Sequence, residues 1–354
     1  VAVAATPVAA VVLSTPAGRD AAVAVGLGLG QEVDEILFDH PWLVPAAADG
    51  LDGLLIGLGE GLPALGVLLA WRSGRAGVPY PPRNEADALG VVLAATRGIA
   101  LDESGRSVRV SARPSFAGRP PAGVADLVSN HGPISGGSRV RVTGIRGPDG
   151  SWSWVVDVPG TQTFDPRAGE NPWDMTTNAL LVAGRRPLVM QAVARALDDA
   201  RRRAGDTSTT SRVMLTGHSQ GGLTAAALAA DPTFRSRHRV THVVTSGAPV
   251  ASLAVPEEVS VLSLEHDEDL VPGLEGADNP DRRGWVTVER SLADDLGPDG
   301  RASQAHDNAT YVDTARLVDA SDDPSVQAWR DVAAPFVGSP LATTVTADYD
   351  VARR

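Results

Sequence analysis

Residues 213–230 read VMLTGHSQGGLTAAALAA. A short apolar run ends in Gly217-His218-Ser219-Gln220-Gly221, and an alanine-rich run follows. The apolar run suits a buried strand and the Ala and Leu run suits a helix. A strand, a tight turn carrying one serine and a helix, in that order, make a nucleophile elbow. Two glycines flank the serine where strand and helix crowd, so no Cβ obstructs a strained turn that lifts the hydroxyl above the sheet. Ser219 would then stand at a helix N-terminus, whose unpaired N–H groups favour a developing oxyanion. The small residues Ala225, Ala226, Ala229 and Ala230 let that helix pack closely.

On both sides of this segment, short β-rich runs alternate with helical ones. Residues 107–112 (SVRVSA) and 138–145 (SRVRVTGI) alternate apolar and polar side chains, and Gly147-Pro148-Asp149-Gly150 turns the chain into SWSWVVDVPG at 151–160. Apolar residues recur at helical spacing over 186–204, ahead of Gly205. Strands are expected at 240–248, 259–264 and 285–289, and two helices, near 308–318 and 325–336, close the pattern. This alternation predicts an α/β domain over residues 106–354, with right-handed βαβ units, a mostly parallel sheet and helices on both faces. Residues 1–105 are rich in Ala, Gly, Leu and Val, and Pro7, Pro16, Pro41, Pro45 and Pro63 break their helix-like runs. They read as an N-terminal helical extension that docks as a cap. Glu60 and Pro63 interrupt the apolar run 54–71, which predicts a helical hairpin and no stable membrane span. GLGLG at 26–30 follows no strand and reads as flexible helix termini, not as a nucleotide loop.

Composition narrows the chemistry. A net charge of -12 over 354 residues argues against a nucleic-acid partner and gives no attraction to anionic lipid. The chain has neither cysteine nor lysine. Disulfides, thiolate sites, Schiff bases, a P-loop lysine and a serine–lysine dyad are therefore excluded. The composition suits a soluble protein, cytoplasmic or secreted.

In this topology the acid and the histidine of a triad follow the serine in that order. Of seven histidines, His238, His242, His266 and His306 lie downstream of Ser219. His238 sits in a polar connection, His242 enters a strand and His266 abuts one, whereas His306 follows the last expected strand and precedes a helix. His306 is the expected general base. The acid belongs after the strand VSVLSL, where EHDEDLVP offers Glu265, Asp267, Glu268 and Asp269.

These motifs resemble the α/β-hydrolase serine esterases and lipases across roughly residues 106–340. GHSQGG is similar to their elbow, and DLVP resembles the acid loop of the class 3 triacylglycerol lipases, where the aspartate two before Val-Pro completes the triad. The resemblance implies Asp269 as the acid. VPGTQTF resembles their oxyanion strand, with Pro159 where arginine is usual, and implies Thr161 as the first oxyanion donor. The backbone N–H of Gln220, the residue after the nucleophile, is the second. An ester hydrolase acting on a small-molecule or lipid ester is thus expected, with no metal or organic cofactor. An acyltransferase or thioesterase using the same triad, and a non-catalytic binding protein on this fold, are the alternatives. Residues 162–186 are a candidate acyl-binding wall or lid, and His218, Phe164 and Trp173 are candidate substrate-binding residues.

Overall fold

A computed structural model describes residues 38–39, 63–297, 300–338 and 341–354. The GLGLG stretch and the first half of the 54–71 run lie outside the described residues. Helices α1 (Pro63–Ala76) and α2 (Glu85–Thr96) come first. They share a small apolar cluster built on Leu69, Val78 and Val91.

The eight strands are β1 (Val108–Ala112), β2 (Arg139–Arg146), β3 (Trp152–Val158), β4 (Arg212–His218), β5 (Arg239–Ser246), β6 (Ser260–His266), β7 (Trp285–Arg290) and β8 (Thr343–Arg353). They form one sheet in the order β1-β8-β2-β3-β4-β5-β6-β7. From β3 to β7 every neighbouring pair is parallel. The other pairs, β1 with β8, β8 with β2 and β2 with β3, are antiparallel. The sheet is therefore mixed, which corrects the expectation of a mostly parallel one. Two causes are local. The Gly147–Gly150 turn is too short for a crossover and leaves β2 and β3 antiparallel. The unexpected strand β8 then inserts between β1 and β2.

Helices flank both faces, because residues of each strand point alternately to the two sides. On the first face Trp154, Val156, Val213, Leu215 and Val243 join the buried sides of α6 (Leu188–Ala204) and α7 (Gln220–Ala230). On the second, Val155, Met214, Val244 and Leu262 meet α3 (Val124–Ser129), α8 (Asn308–Ala320) and α9 (Pro324–Ala333). The short helices α4 (His131–Ile134) and α5 (Met175–Val182) stand near the C-terminal ends of the parallel strands. α5 contacts both α7 and α2. Glu103 reaches the α/β part of the chain, accepting from Leu188 N at 2.7 Å and from Arg353 Nε at 3.0 Å. Among the described residues no helix is long and apolar enough to cross a membrane.

Candidate active site

β3 and β4 end level with one another, Val158 opposite Gly217, so the loop after β3 and the turn after β4 emerge side by side. Ser219 holds that turn at φ 56° and ψ −128°, a conformation seldom adopted by a residue with a side chain. The two glycines explain why it can. A Cβ on Gly217 would fall 2.1 Å from the Gly221 carbonyl carbon, and one on Gly221 would fall 2.1 Å from the Val158 oxygen. Neither position admits any other residue. Ser219 N donates to the Ser246 carbonyl at 2.9 Å, which fixes the turn to the end of β5.

His306 precedes α8, and its Nδ1 lies 2.8 Å and 3.0 Å from the two carboxylate oxygens of Asp269. With Nδ1–H committed to Asp269, Nε2 is left as the ring's acceptor. Asp269 is buried, which taken alone raises its pKa, yet its hydrogen bonds from His306, Tyr311 Oη (2.6 Å) and Val271 N (2.9 Å) prevail and hold the carboxyl below its ordinary value. It is therefore a fixed anion. The other acids of the loop are occupied elsewhere. Glu268 accepts from Ser291, Leu292 N and Ala293 N, Glu265 accepts from Asn279, and Asp267 lies in the exposed turn.

Ser219 and His306 line one cavity of roughly 1670 Å³, together with Thr161 and Gln220. No hydrogen bond joins Ser219 Oγ to the imidazole, a contact that commonly tightens only when substrate is bound. The N–H groups of Thr161 and Gln220 donate to no group among the described residues, so both are available to an oxyanion. A Cβ on Gly160 would sit 3.3 Å from that of Ser219, which shows how closely the β3 loop abuts the elbow. Asn178 ties the two donor residues together, for its Nδ2 donates to Thr161 Oγ1 at 3.0 Å and its Oδ1 accepts from Gln220 Nε2 at 2.7 Å.

Of the other candidates, Phe164 is 76% exposed and stands on the cavity rim. His218 also lines the cavity, but its Nε2 donates to the His306 carbonyl at 2.7 Å, so it steadies the His306 backbone. Burial, then the neighbouring His306 and His131, pushes its imidazole down to about 3, so it is neutral. Trp173 requires a correction. Its ring is fully buried in the first-face core and does not line the cavity, while its carbonyl accepts from Gln162 N (2.8 Å) and Thr163 N (3.2 Å) and ties it to the loop after β3. The rest of 162–186 does form a wall, through Met175, Ala179, Leu181 and Val182. His266 lies behind Tyr311, stacked on it at 3.8 Å, with its ring nitrogens engaged by the Ala305 carbonyl and Thr314 Oγ1.

The chain matches no protein-family model, no curated protein and no solved structure.

Three residues of the site escaped the sequence reading: Tyr311, Asn178 and Gly247. Gly247 adopts φ +57°, and a Cβ there would lie 2.7 Å from Asp269 Oδ2 and 3.1 Å from His306 Nδ1. Its place near the end of the strand expected at 240–248, in SGAPV, was the available signal.

Proposed function

We propose that this chain is a serine hydrolase of the α/β-hydrolase fold that cleaves carboxylic esters through an acyl-enzyme. The observation that carries the reading is the approach of His306 Nδ1 to both oxygens of Asp269, in the wall of the cavity that holds the Ser219 elbow. The GHSQGG and DLVP motifs support the same reading.

In the reaction, Ser219 Oγ attacks the ester carbonyl carbon while His306 Nε2 takes its proton. Asp269 holds the tautomer and stabilises the imidazolium. The carbonyl oxygen, now an anion, accepts from the N–H groups of Thr161 and Gln220. These donors are already oriented, so stabilising the charge requires little reorganisation. As the intermediate collapses, the bond to the alcohol oxygen breaks and the imidazolium protonates the departing alkoxide. A water molecule, deprotonated by His306, then attacks the acyl-enzyme. The carboxylic acid leaves and Ser219 recovers its proton.

The test combines fluorophosphonate labelling with turnover of p-nitrophenyl esters of increasing chain length. Wild type is expected to label at Ser219 and to release p-nitrophenol, and Ser219→Ala is expected to lose both, turnover falling on the order of 10⁶-fold. Labelling retained at another serine would overturn the assignment.

A further inference from the structure

We infer that the ester accepted by this site joins an apolar acyl group to a hydroxyl-rich, uncharged alcohol such as a sugar or other polyol; this rests on the ester-hydrolase reading above. At roughly 1670 Å³ the cavity exceeds the ~300–1,000 Å³ common for small-molecule sites, which leaves room for two sizeable parts.

The two sides of the cavity differ in chemistry. The side built by α2, α5 and α7 presents Leu89, Met175, Ala179, Leu181, Val182 and Leu223. Leu181 and Leu223 continue from there into the first-face core. The side built by α3, α4 and α8 presents Ser129, Ser135, Asp307, Asn308 and Asp313, with Val312 among them. Ser219 stands between, at the end of the sheet that separates these helices.

The catalytic geometry fixes which part of the ester goes where. The alcohol oxygen must leave within reach of the imidazolium that protonates it, so the alcohol lies on the His306 side. The acyl group then extends past the oxyanion donors toward Asn178, Met175 and Leu223.

On the His306 side the unspent groups are mostly acceptors. The Asp307 carboxylate does not cap α8. Asn308 Oδ1 is not among them, because it is buried against the His131 ring and interacts with it. Ser129 and Ser135 give their protons to the carbonyls of Asp126 (2.9 Å) and His131 (2.8 Å), which leaves their lone pairs to accept. A ligand carrying several O–H donors answers this set, and the Val312 side chain offers an apolar patch to the C–H face of a sugar ring. An alkyl alcohol would strip water from these acceptors and return nothing. A phosphate-bearing alcohol would meet the Asp307 carboxylate, and Arg316, the cation on this side, is already paired with Asp313.

The experiment compares esters of one acid, lauric acid, with methyl glucoside, sucrose and ethanol as the alcohols. Wild type is expected to show a kcat/KM at least about tenfold higher for the two sugar esters than for the ethyl ester. Asp307→Ala and Ser135→Ala are each expected to shrink that ratio toward one. Equal kcat/KM values, or a preference for the ethyl ester, with Ser219 still labelled by fluorophosphonate, would overturn the inference alone. A ratio unchanged in both variants would overturn it as well. Failure of labelling and of all ester cleavage would overturn the hydrolase reading and the inference with it.

Discussion

Arg353 Nη1 lies 2.6 Å from Asp174 Oδ2, and both side chains are almost wholly buried. Asp174 is also the N-cap of α5, where its Oδ1 accepts from Thr177 N at 3.0 Å and its carbonyl accepts from Gln220 Nε2 at 2.7 Å. β8 thus holds the residue that caps α5 and fastens Gln220. Arg353→Met strands two buried carboxylates, Asp174 and Glu103, and we expect a stability loss of about 3–5 kcal/mol by urea unfolding. Adding Asp174→Asn to Arg353→Met should recover part of it, with Glu103 still unpaired. A single variant as stable as wild type would show that this pair carries no such role.

His306→Ala and His266→Ala separate the base from its neighbour. Members of a triad act as a unit, so His306→Ala should cost nearly as much turnover as Ser219→Ala. His266→Ala removes a buried ring that stacks on Tyr311, and its main effect should be on stability. Activity that survives in His306→Ala but vanishes in folded His266→Ala would reverse the assignment.

Asn178→Ala leaves the oxyanion N–H groups in place but unties Thr161 from Gln220. Loss of a whole oxyanion donor costs about 10²–10³ in kcat, and a positioning residue should cost less, about tenfold. The fall should appear in kcat with KM nearly unchanged, because the donors act in the transition state. A raised KM with kcat intact would place Asn178 in substrate binding instead.

Acidification should destabilise the fold. Burial pushes His131, His238 and His242 down to about 4 and His218 to about 3. Below about pH 6.5 the unfolded chain takes up protons that the native imidazoles refuse. Stability is therefore lost as pH falls from 6.5 toward 4. Asp157 and Glu265, pushed up to about 7 by burial, act in the opposite direction, since the native state keeps protons there that the unfolded state has released. Four imidazoles outweigh two carboxyls. Tm should drop between pH 7 and pH 5, and a Tm that rose on acidification would contradict the sign.

The elbow could be read from the chain because its signal is contiguous: strand, Gly-x-Ser-x-Gly and small-residue helix all lie within eighteen residues. His306 and the acid loop were reachable because chain order restricts where a base and an acid can stand. Tyr311 and Asn178 offer no such signal. Each is one residue in a helix, and the partner lies 42 positions away for Tyr311 and 17 for Asn178, so only the packing of α8 and α5 brings them to Asp269 and Thr161. Trp173 misled for the converse reason. An aromatic beside the oxyanion loop suits a substrate wall and a core equally well, and the turn that buries it depends on backbone bonds to Gln162 and Thr163. Strand β8 does carry an alternating pattern, with Val345, Ala347, Tyr349 and Val351 on one face. Its insertion between β1 and β2 depends on pairing such as Arg139 with Asp350 and Val108 with Arg353, far apart in the chain, which no local pattern encodes.

That insertion also sets an order of assembly. Strands β3 to β7, with the elbow and the acid loop, can pair as they leave the ribosome, since each finds a neighbour among strands already made. β1 has no partner in the sheet until residues 343–353 emerge, and only then does Arg353 reach Asp174. On the proposed hydrolase reading, a nascent chain would therefore carry its serine, histidine and aspartate before α5 was fixed in place, and catalytic competence would arrive only with residues 343–353.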